Sequence, residues 1–367
     1  MRIAALTVAC LLVLAAPAGA WIPNDPGLSG TPGGWQNDQW NLLPGTGVDA
    51  PRAWANMNAA GSPGGKGVRI AVLDSGLRRT PDLSPLHIAR GYDYCSREGR
   101  NGQPCAGADP IPDDQYGHGT HVASTLAEAT NNARGLTGLA YGATIIPVKV
   151  LDKHGDGDET SIAAGIRYAV AHKAQIINLS FEFGAGTASA QQIPKIAAAV
   201  RLARRKRVLV VGAAGNAADP RVAYPAALPG VISVGAVTEH GCLAAYSNTG
   251  PALDLVAPGG GPDAALADEP ACQPTAGRSI LQLTLIPDQH RFGYPTSYVG
   301  TSMAAPHVSA TAALIIASRV LGRHPSPDAI EQRLKATARD LGPPGPDPMY
   351  GAGLVDAGAA TASGPGA

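Results

Sequence analysis

Four polar residues, widely separated in the sequence, have the types and settings that acyl-transfer chemistry requires. Ser302 lies in YVGTSMAAPHVSA, at the mouth of an almost wholly apolar helical pattern, where unpaired backbone N–H groups and the helix dipole favour developing negative charge. A serine hydroxyl becomes nucleophilic when a base takes its proton, and His118, between two glycines in YGHGTHVAS, is a candidate base. Asp74, which ends the apolar run RIAVLD, is a candidate partner for that imidazole. Asn216, which ends VVGAAGN, is a candidate amide donor to an oxyanion.

Each of these residues also has a purely structural interpretation. Thr301 or Ser302 could simply cap the helix. Asp74 could be a turn or N-cap aspartate before Ser-Gly, and Asn216 could mark an ordinary strand-to-turn junction. The combination of all four is what indicates a catalytic site.

Two further histidines lie near the candidate residues. His121 follows His118 by three positions on nearly the same helix face, so one of the two could be a core histidine with satisfied hydrogen bonds. His307 lies five residues beyond Ser302, about 140° away around the helix, and is the weaker candidate base.

The elements around these residues alternate between strand and helix patterns. GVRIAVLDSG, ATIIPVKVL, AQIINLSF, RVLVVGAAGN and VISVGAV read as buried strands, and GTHVASTLAEA, TSIAAGIRYAVAHK and AQQIPKIAAAVRLARRK read as helices between them. This alternation predicts an α/β fold with a parallel sheet covered on both faces. Ligands bind beyond the carboxyl ends of such strands, which is where Asp74 and Asn216 fall.

Composition narrows the functional classes. The 367-residue chain has a formal net charge of zero and 45% hydrophobic residues, enough for a substantial core but without the basic field that nucleic-acid binding requires.

Residues 1–20 have the layout of an export signal, with a positive start, an apolar run and Ala18-Gly19-Ala20 as a cleavage site. The apolar run is shorter than the roughly 20 residues of a membrane-spanning helix. We therefore expect a secreted protein with no membrane contact after signal removal.

The remaining cysteines are even in number, which predicts two disulfides in an exported chain. Three pairings are open, and four free thiols are the alternative. The local pairing, in which each bond closes one loop, is the preferred one. The four residues are Cys95, Cys105, Cys242 and Cys272.

The motifs AVLDSG, YGHGTHVAS, AAGN and YVGTSMAAPHVSA, with YGAGLVDAGAA near the end, resemble those of the subtilisin-like serine peptidases, the subtilases (peptidase family S8). The resemblance runs from about Pro23 to Ala360. It implies a three-layer α/β/α fold with a mainly parallel central sheet, and a monomeric endopeptidase acting on polypeptides without a catalytic cofactor. The implied organisation is an N-terminal arm at 21–66, a catalytic domain at 67–360 and a flexible tail at 361–367, with no separate inhibitory propeptide.

The same resemblance assigns roles to residues. It implies that Asp74, His118 and Ser302 form a catalytic triad, that Asn216 is the oxyanion donor and that His121 is structural. DKHGDGDE aligns with the strand that pairs with substrate backbone, and NLSFEFGAG aligns with the opposite wall of the cleft. The implied substrate-binding set is Gly155, Asp156, Gly157, Ser180, Phe181, Glu182, Ala213, Ala214 and Gly215.

The wall segment departs from the family pattern, because Phe-Glu-Phe replaces small residues there. Together with Asp156, Asp158 and Glu159, Glu182 could favour Arg or Lys near the scissile bond; solvated loop acids are the alternative interpretation.

Structural calcium is a further implication of the resemblance. PNDP, PDL and TNNARGLTG match one calcium site of the family, with Asp25, Asp82 and Asn132 as the matching side chains.

Two other functions remain open from the sequence alone. The scaffold could serve a non-catalytic binding protein, because a fold does not by itself give activity. Alternatively, the triad could act preferentially on esters. The natural substrate and the control of activity are not specified by any motif.

Overall fold

The computed structural model describes residues 19–84, 87–98, 105–184, 187, 189–266, 269, 271–286 and 291–364. Positions 1–18 of the predicted export signal and 365–367 of the predicted tail lie outside the described residues. Thr361, the first residue of that predicted tail, is the buried last residue of a helix.

A seven-stranded parallel sheet forms the centre of the structure, with the spatial order β2-β5-β1-β6-β7-β8-β9. Successive side chains of its strands point to opposite faces of the sheet: Ile70 and Val72 of β1 pack in one core cluster, and Ala71 and Leu73 pack in the other. The strands are β1 (Arg69–Asp74), β2 (Tyr92–Asp93), β3 (Arg97–Glu98), β4 (Cys105–Ala106), β5 (Thr144–Lys149), β6 (Ile176–Leu179), β7 (Leu209–Ala213), β8 (Val231–Val237), β9 (Leu255–Pro258), β10 (Thr284–Ile286) and β11 (Arg291–Gly293). The pairs β3-β4 and β10-β11 form two small antiparallel sheets.

Helices cover both faces of the sheet. They are α1 (Trp35–Asp38), α2 (Ala50–Ala59), α3 (His118–Ala127), α4 (Glu159–Ala171), α5 (Pro194–Arg205), α6 (Thr301–Ser318), α7 (Pro327–Ala336) and α8 (Ala357–Thr361). Buried residues of α2, α3, α6, α7 and α8 belong to the core on one face, and those of α4 and α5 belong to the core on the other. This three-layer α/β/α arrangement confirms the predicted fold class.

The central helix α6 is apolar on every side because it has no solvent face. It packs against β6, β7, β8 and β9, as well as against α3, and nearly all of its residues are buried. A helix that is hydrophobic all round is expected in such a position. Its N-terminus at Thr301 lies at the carboxyl ends of the strands, next to the turns that follow β6 and β7.

The N-terminal arm, which shows little periodicity in the sequence, contributes its tryptophans to the core. Trp35, Trp40 and Trp54 are buried, and the rings of Trp35 and Trp54 meet edge to face with centroids 5.5 Å apart. The indole N–H of Trp54 donates to the carbonyl oxygen of Leu139 over 2.8 Å. The arm is therefore part of the packed structure.

Both disulfides have the predicted local pairing, Cys95 with Cys105 and Cys242 with Cys272. Among the helices described, none is long and apolar enough to cross a membrane.

Candidate active site

The carboxylate of Asp74 and the imidazole of His118 meet at the carboxyl end of the sheet. Asp74 is the last residue of β1 and His118 is the first of α3. The Nδ1 atom of His118 donates a hydrogen bond to Oδ1 of Asp74 over 2.7 Å. Gly119 permits this approach, because a Cβ at that position would overlap the carbonyl oxygen of Gly76. The Asp74 side chain is fully buried and that of His118 is 17% exposed, so the imidazole keeps one edge open.

Asp74 also controls the acid–base behaviour of His118. Burial disfavours the charged imidazolium, but the charge and hydrogen bond of Asp74, together with the charge of Asp114, outweigh it, so that the pKa of His118 is raised above its ordinary value. Such an imidazole is a stronger base, and the carboxylate stabilises the imidazolium that forms when it takes a proton.

A buried carboxylate that the sequence analysis did not identify, that of Asp114, holds the loop before α3. Its Oδ1 accepts hydrogen bonds from the backbone N–H groups of Tyr116 and Gly117, over 3.0 and 2.8 Å, and from the Ser75 hydroxyl over 2.9 Å. Its Oδ2 accepts the N–H and the hydroxyl of Thr120, over 2.9 and 2.6 Å. Asp114 thereby joins the turn after β1 to the first turn of α3. The only indication in the sequence is an acidic residue shortly before Gly-His-Gly, and acidic residues are common in turns.

Ser302 is the second residue of α6, in the first turn, where backbone N–H groups have no intrahelical partner. It is half-buried, and its carbonyl oxygen accepts the hydroxyl of Ser180 over 2.8 Å. Tyr298, four residues earlier, places its ring centroid 6.3 Å from that of His118. No hydrogen bond joins the hydroxyl of Ser302 to His118 in the described part of the chain. Catalytic hydrogen bonds are often long before substrate binds.

Thr301 orients the amide of Asn216 beside this turn. The Oδ1 atom of Asn216 accepts the backbone N–H and the hydroxyl of Thr301, over 2.8 and 3.1 Å. Nδ2 is therefore the donor that remains for other partners. It donates to Oε1 of Glu182 over 3.1 Å, and the backbone N–H of Asn216 donates to the same oxygen over 2.9 Å. No pattern in the sequence predicts this contact.

The predicted substrate-binding residues lie beyond or at the carboxyl ends of three strands, β5, β6 and β7. The loop at 155–157 lies between β5 and α4, and Gly155 lies against the ring of Tyr116. The other six follow or end β6 and β7: Ser180, Phe181, Glu182, Ala213, Ala214 and Gly215.

The four acids expected to favour basic substrates do not converge. Asp158 caps α4 by accepting two backbone N–H groups of its first turn, and Glu159 accepts the backbone N–H of Lys195. Asp156 belongs to the loop before α4, and only Glu182 contacts a catalytic candidate. A preference for basic side chains would therefore rest on Glu182.

Neither His121 nor His307 is placed to act as a base. Nε2 of His121 donates to the carbonyl oxygen of Ile280 over 3.0 Å, and its ring stacks on that of Tyr298 at 4.1 Å. Nδ1 of His307 donates to the carbonyl oxygen of Met303 over 2.8 Å. Burial lowers the pKa of His121 to about 3 and that of His307 to about 4, so both are neutral near pH 7.

The three residues predicted to bind calcium lie close together but are bonded to protein groups. Nδ2 of Asn132 donates to Oδ1 of Asp82 over 2.6 Å, and both oxygens of Asp25 accept backbone N–H groups. Beside them, burial raises the pKa of Asp82 to about 6 and that of Glu128 well above its ordinary value. Within the described ranges, no group of three or more His, Cys, Asp or Glu side chains could hold a metal ion.

Comparison with known proteins gives consistent matches over most of the chain. The model of the subtilase family matches residues 65–353. The thermostable alkaline protease of Halalkalibacterium halodurans is 38% identical over 299 residues, which cover 81% of this chain and 68% of that protein. Subtilisin Savinase of Lederbergia lenta is 35% identical over 299 residues, covering 81% of this chain and 91% of that one. A solved protease structure from Pseudoalteromonas arctica has a TM-score of 0.74 and 33% identity, and the match covers 93% of this chain and 98% of that one.

Proposed function

The chain belongs to the subtilase family and is a serine endopeptidase of the subtilisin type, and we propose that Asp74, His118 and Ser302 form its catalytic triad. In this proposal Asn216 and the backbone N–H of Ser302 stabilise the oxyanion, and the substrates are polypeptides. The observation that carries the proposal is the 2.7 Å hydrogen bond between the buried Asp74 and the partly exposed His118.

The proposal extends to cellular location and domain organisation. Residues 1–20 direct export, the arm at 21–66 and the catalytic domain at 67–360 form the working enzyme, and it acts as a secreted monomer. The sequence layout of the leader supports export.

The proposed reaction forms and then breaks an acyl-enzyme. The hydroxyl oxygen of Ser302 attacks the scissile carbonyl carbon while Nε2 of His118 takes the hydroxyl proton. The N–H of Ser302 and Nδ2 of Asn216 stabilise the negative charge on the carbonyl oxygen. His118 gives its proton to the leaving amine as the C–N bond breaks. Water then attacks the acyl group, His118 takes the proton of the water, and Ser302 leaves as the protonated hydroxyl.

Two backbone segments support a peptide substrate in this scheme. The loop at 155–157 and the segment at 180–182 follow strands on either side of β1. An extended peptide lying between them can add a strand to each. This arrangement favours polypeptides over small esters.

Calcium is not part of the proposal, because the donor set does not fit that ion. Calcium takes six to eight oxygen ligands. Here Asn132 presents its amide nitrogen to Asp82, and within the described residues no group of three or more His, Cys, Asp or Glu side chains could hold a metal ion.

Cleavage of an unfolded protein substrate tests the proposal. We expect the wild type to cleave it, Ser302→Ala to lose cleavage, and Ser318→Ala, at the other end of α6, to retain it. Binding without cleavage by the wild type would support the non-catalytic alternative. Turnover of an ester but not of the matched amide would support the acyl-hydrolase alternative.

A further inference from the structure

The carboxylate of Glu182 contacts Gly215 and Asn216, in the turn after β7. Its Oε1 accepts both the backbone N–H and Nδ2 of Asn216, over 2.9 and 3.1 Å. Its Oε2 lies against Gly215, where a Cβ would overlap it. Gly215 also has a φ of +115°, a conformation that favours glycine. The position of the carboxylate therefore depends on glycine at 215.

This arrangement places a negative charge beside the donor that the proposed reaction needs. The oxyanion of a tetrahedral intermediate must accept a hydrogen bond from Nδ2 of Asn216. Nδ2 has two N–H groups and only one is bonded to Glu182, but the negative charge of a carboxylate at the same nitrogen repels the oxyanion. The carboxylate of Glu182 must therefore move away, or lose its charge, before Asn216 can assist the reaction.

A cleft with a volume of about 80 Å³ opens beside Glu182. Phe183 and Tyr224 contribute to its apolar lining, and the backbone N–H of Phe183 donates to the carbonyl oxygen of Tyr224 over 2.7 Å. Asp219 and Arg221 also line it, but they pair with each other through two hydrogen bonds of 3.0 and 3.1 Å. Glu182 is thus the acid of this cleft that has no cationic partner in the described part of the chain.

We propose that Glu182 selects Lys or Arg as the residue that supplies the scissile carbonyl, the P1 residue, and that this cation draws the carboxylate away from Asn216. The inference rests on the proposed peptidase function and names its substrate class. The ammonium or guanidinium pairs with Glu182 inside the cleft, and the aliphatic stem packs on Phe183 and Tyr224. Nδ2 of Asn216 can then donate to the oxyanion with no negative charge beside it. A neutral P1 residue leaves the carboxylate in place, so it lowers kcat as well as raising KM.

Two peptide anilides that differ only at P1, with Lys in one and norleucine in the other, test this inference. We expect the wild type to prefer Lys by at least about tenfold in kcat/KM, which corresponds to about 1.4 kcal/mol. Glu182→Gln should bring the ratio close to one and raise kcat for the norleucine peptide, because the competing charge is gone. The matched control Glu331→Gln, on α7 in an ion pair with Lys335, should keep the wild-type ratio.

Either of two results overturns the inference: equal turnover of both peptides by the wild type, or an unchanged Lys preference in Glu182→Gln. The wild-type measurement does not depend on the folding of a variant, and Glu182→Gly provides a second variant that also frees Asn216. Titration with a fluorophosphonate distinguishes failure of this inference from failure of the proposed function. Enzyme that is labelled but shows no Lys preference contradicts the inference alone, whereas no labelling and no cleavage of either peptide contradicts the proposed function.

Discussion

The buried carboxylate of Asp114 accepts the hydroxyl of Ser75 over 2.9 Å, and this bond ties the residue after Asp74 to the loop before His118. The backbone N–H of Gly119 in turn donates to the hydroxyl oxygen of Ser75 over 2.9 Å. The relative position of Asp74 and His118 is therefore set by a buried polar network as well as by their own contact. Each member of such a network is costly to leave unpaired in a buried setting.

Asp114→Asn tests this positioning role. The variant keeps the shape of the side chain but removes a charge that contributes to the raised pKa of His118. We expect kcat to fall by about 10- to 100-fold through misplacement of the base, with little change in KM, and the pKa seen in the pH profile of kcat/KM to fall. Asp113→Asn, an adjacent acid paired with Arg78 at the surface, is the control. A pH profile identical to that of the wild type would limit Asp114 to a purely structural role.

The pH dependence of kcat/KM should report His118 directly. The base must be neutral to accept a proton, and its pKa is raised above the ordinary value of about 6.5. Activity should therefore rise with pH through this raised pKa and be lost below it. Asp74→Asn removes the carboxylate that raises the pKa, so the midpoint should move to lower pH while kcat drops by roughly 10⁴. A midpoint that stays in place in this variant would show that another group controls the profile.

Asn216→Ala should reduce transition-state stabilisation more than substrate binding. We expect kcat to fall by about 10²–10³, the effect measured for the corresponding donor in subtilisin, with KM changed little. Steady-state kinetics on a Lys-P1 peptide provide the measurement. A loss below tenfold would mean that Asn216 does not act on the oxyanion.

The bond between Cys242 and Cys272 closes a loop with a sequence separation of 30 residues. Replacing both cysteines by Ser should lower the free energy of unfolding by about 2–4 kcal/mol, because the unfolded chain gains freedom. Denaturant titration of the Ser302→Ala background, which avoids self-digestion, measures the change. Equal stability of the two proteins would contradict the expected contribution.

A chelator should leave the melting temperature unchanged. The described residues contain no group of three or more His, Cys, Asp or Glu side chains that could hold a metal ion, so a chelator should remove no ligand bond. Thermal melts with a chelator and with added calcium make the comparison. A melting temperature that falls with chelator and recovers with calcium would restore the site expected from the sequence.

Local patterns in the sequence were sufficient to predict much of the fold and the candidate residues. Continuous apolar runs identified β1, β5, β6, β7 and β8, because strands buried on both faces consist almost entirely of apolar residues. The two-residue β2 has no such run. The burial of Trp35 and Trp54 could not be predicted from the sequence, because the arm around them is rich in Gly, Pro and Asn and lacks periodicity.

The contacts of Asp114 and Glu182 could not be predicted because they join positions distant in the sequence. Asp114 meets Ser75 across 39 positions, and Glu182 meets Asn216 across 34. Composition near each residue specifies neither the partner nor the direction of the side chain. The burial of Asp114 and the proximity of Glu182 to Asn216 follow only from the packed arrangement.

The most direct test of the proposed triad is active-site labelling with a fluorophosphonate, followed by mass mapping of the modified residue. We expect one label per chain, at Ser302. The labelling rate should rise with pH through the pKa of His118 and fall steeply in His118→Ala, while His121→Gln, where folded, remains labelled. Labelling at another residue, or a rate at Ser302 that is unchanged in His118→Ala, would contradict it.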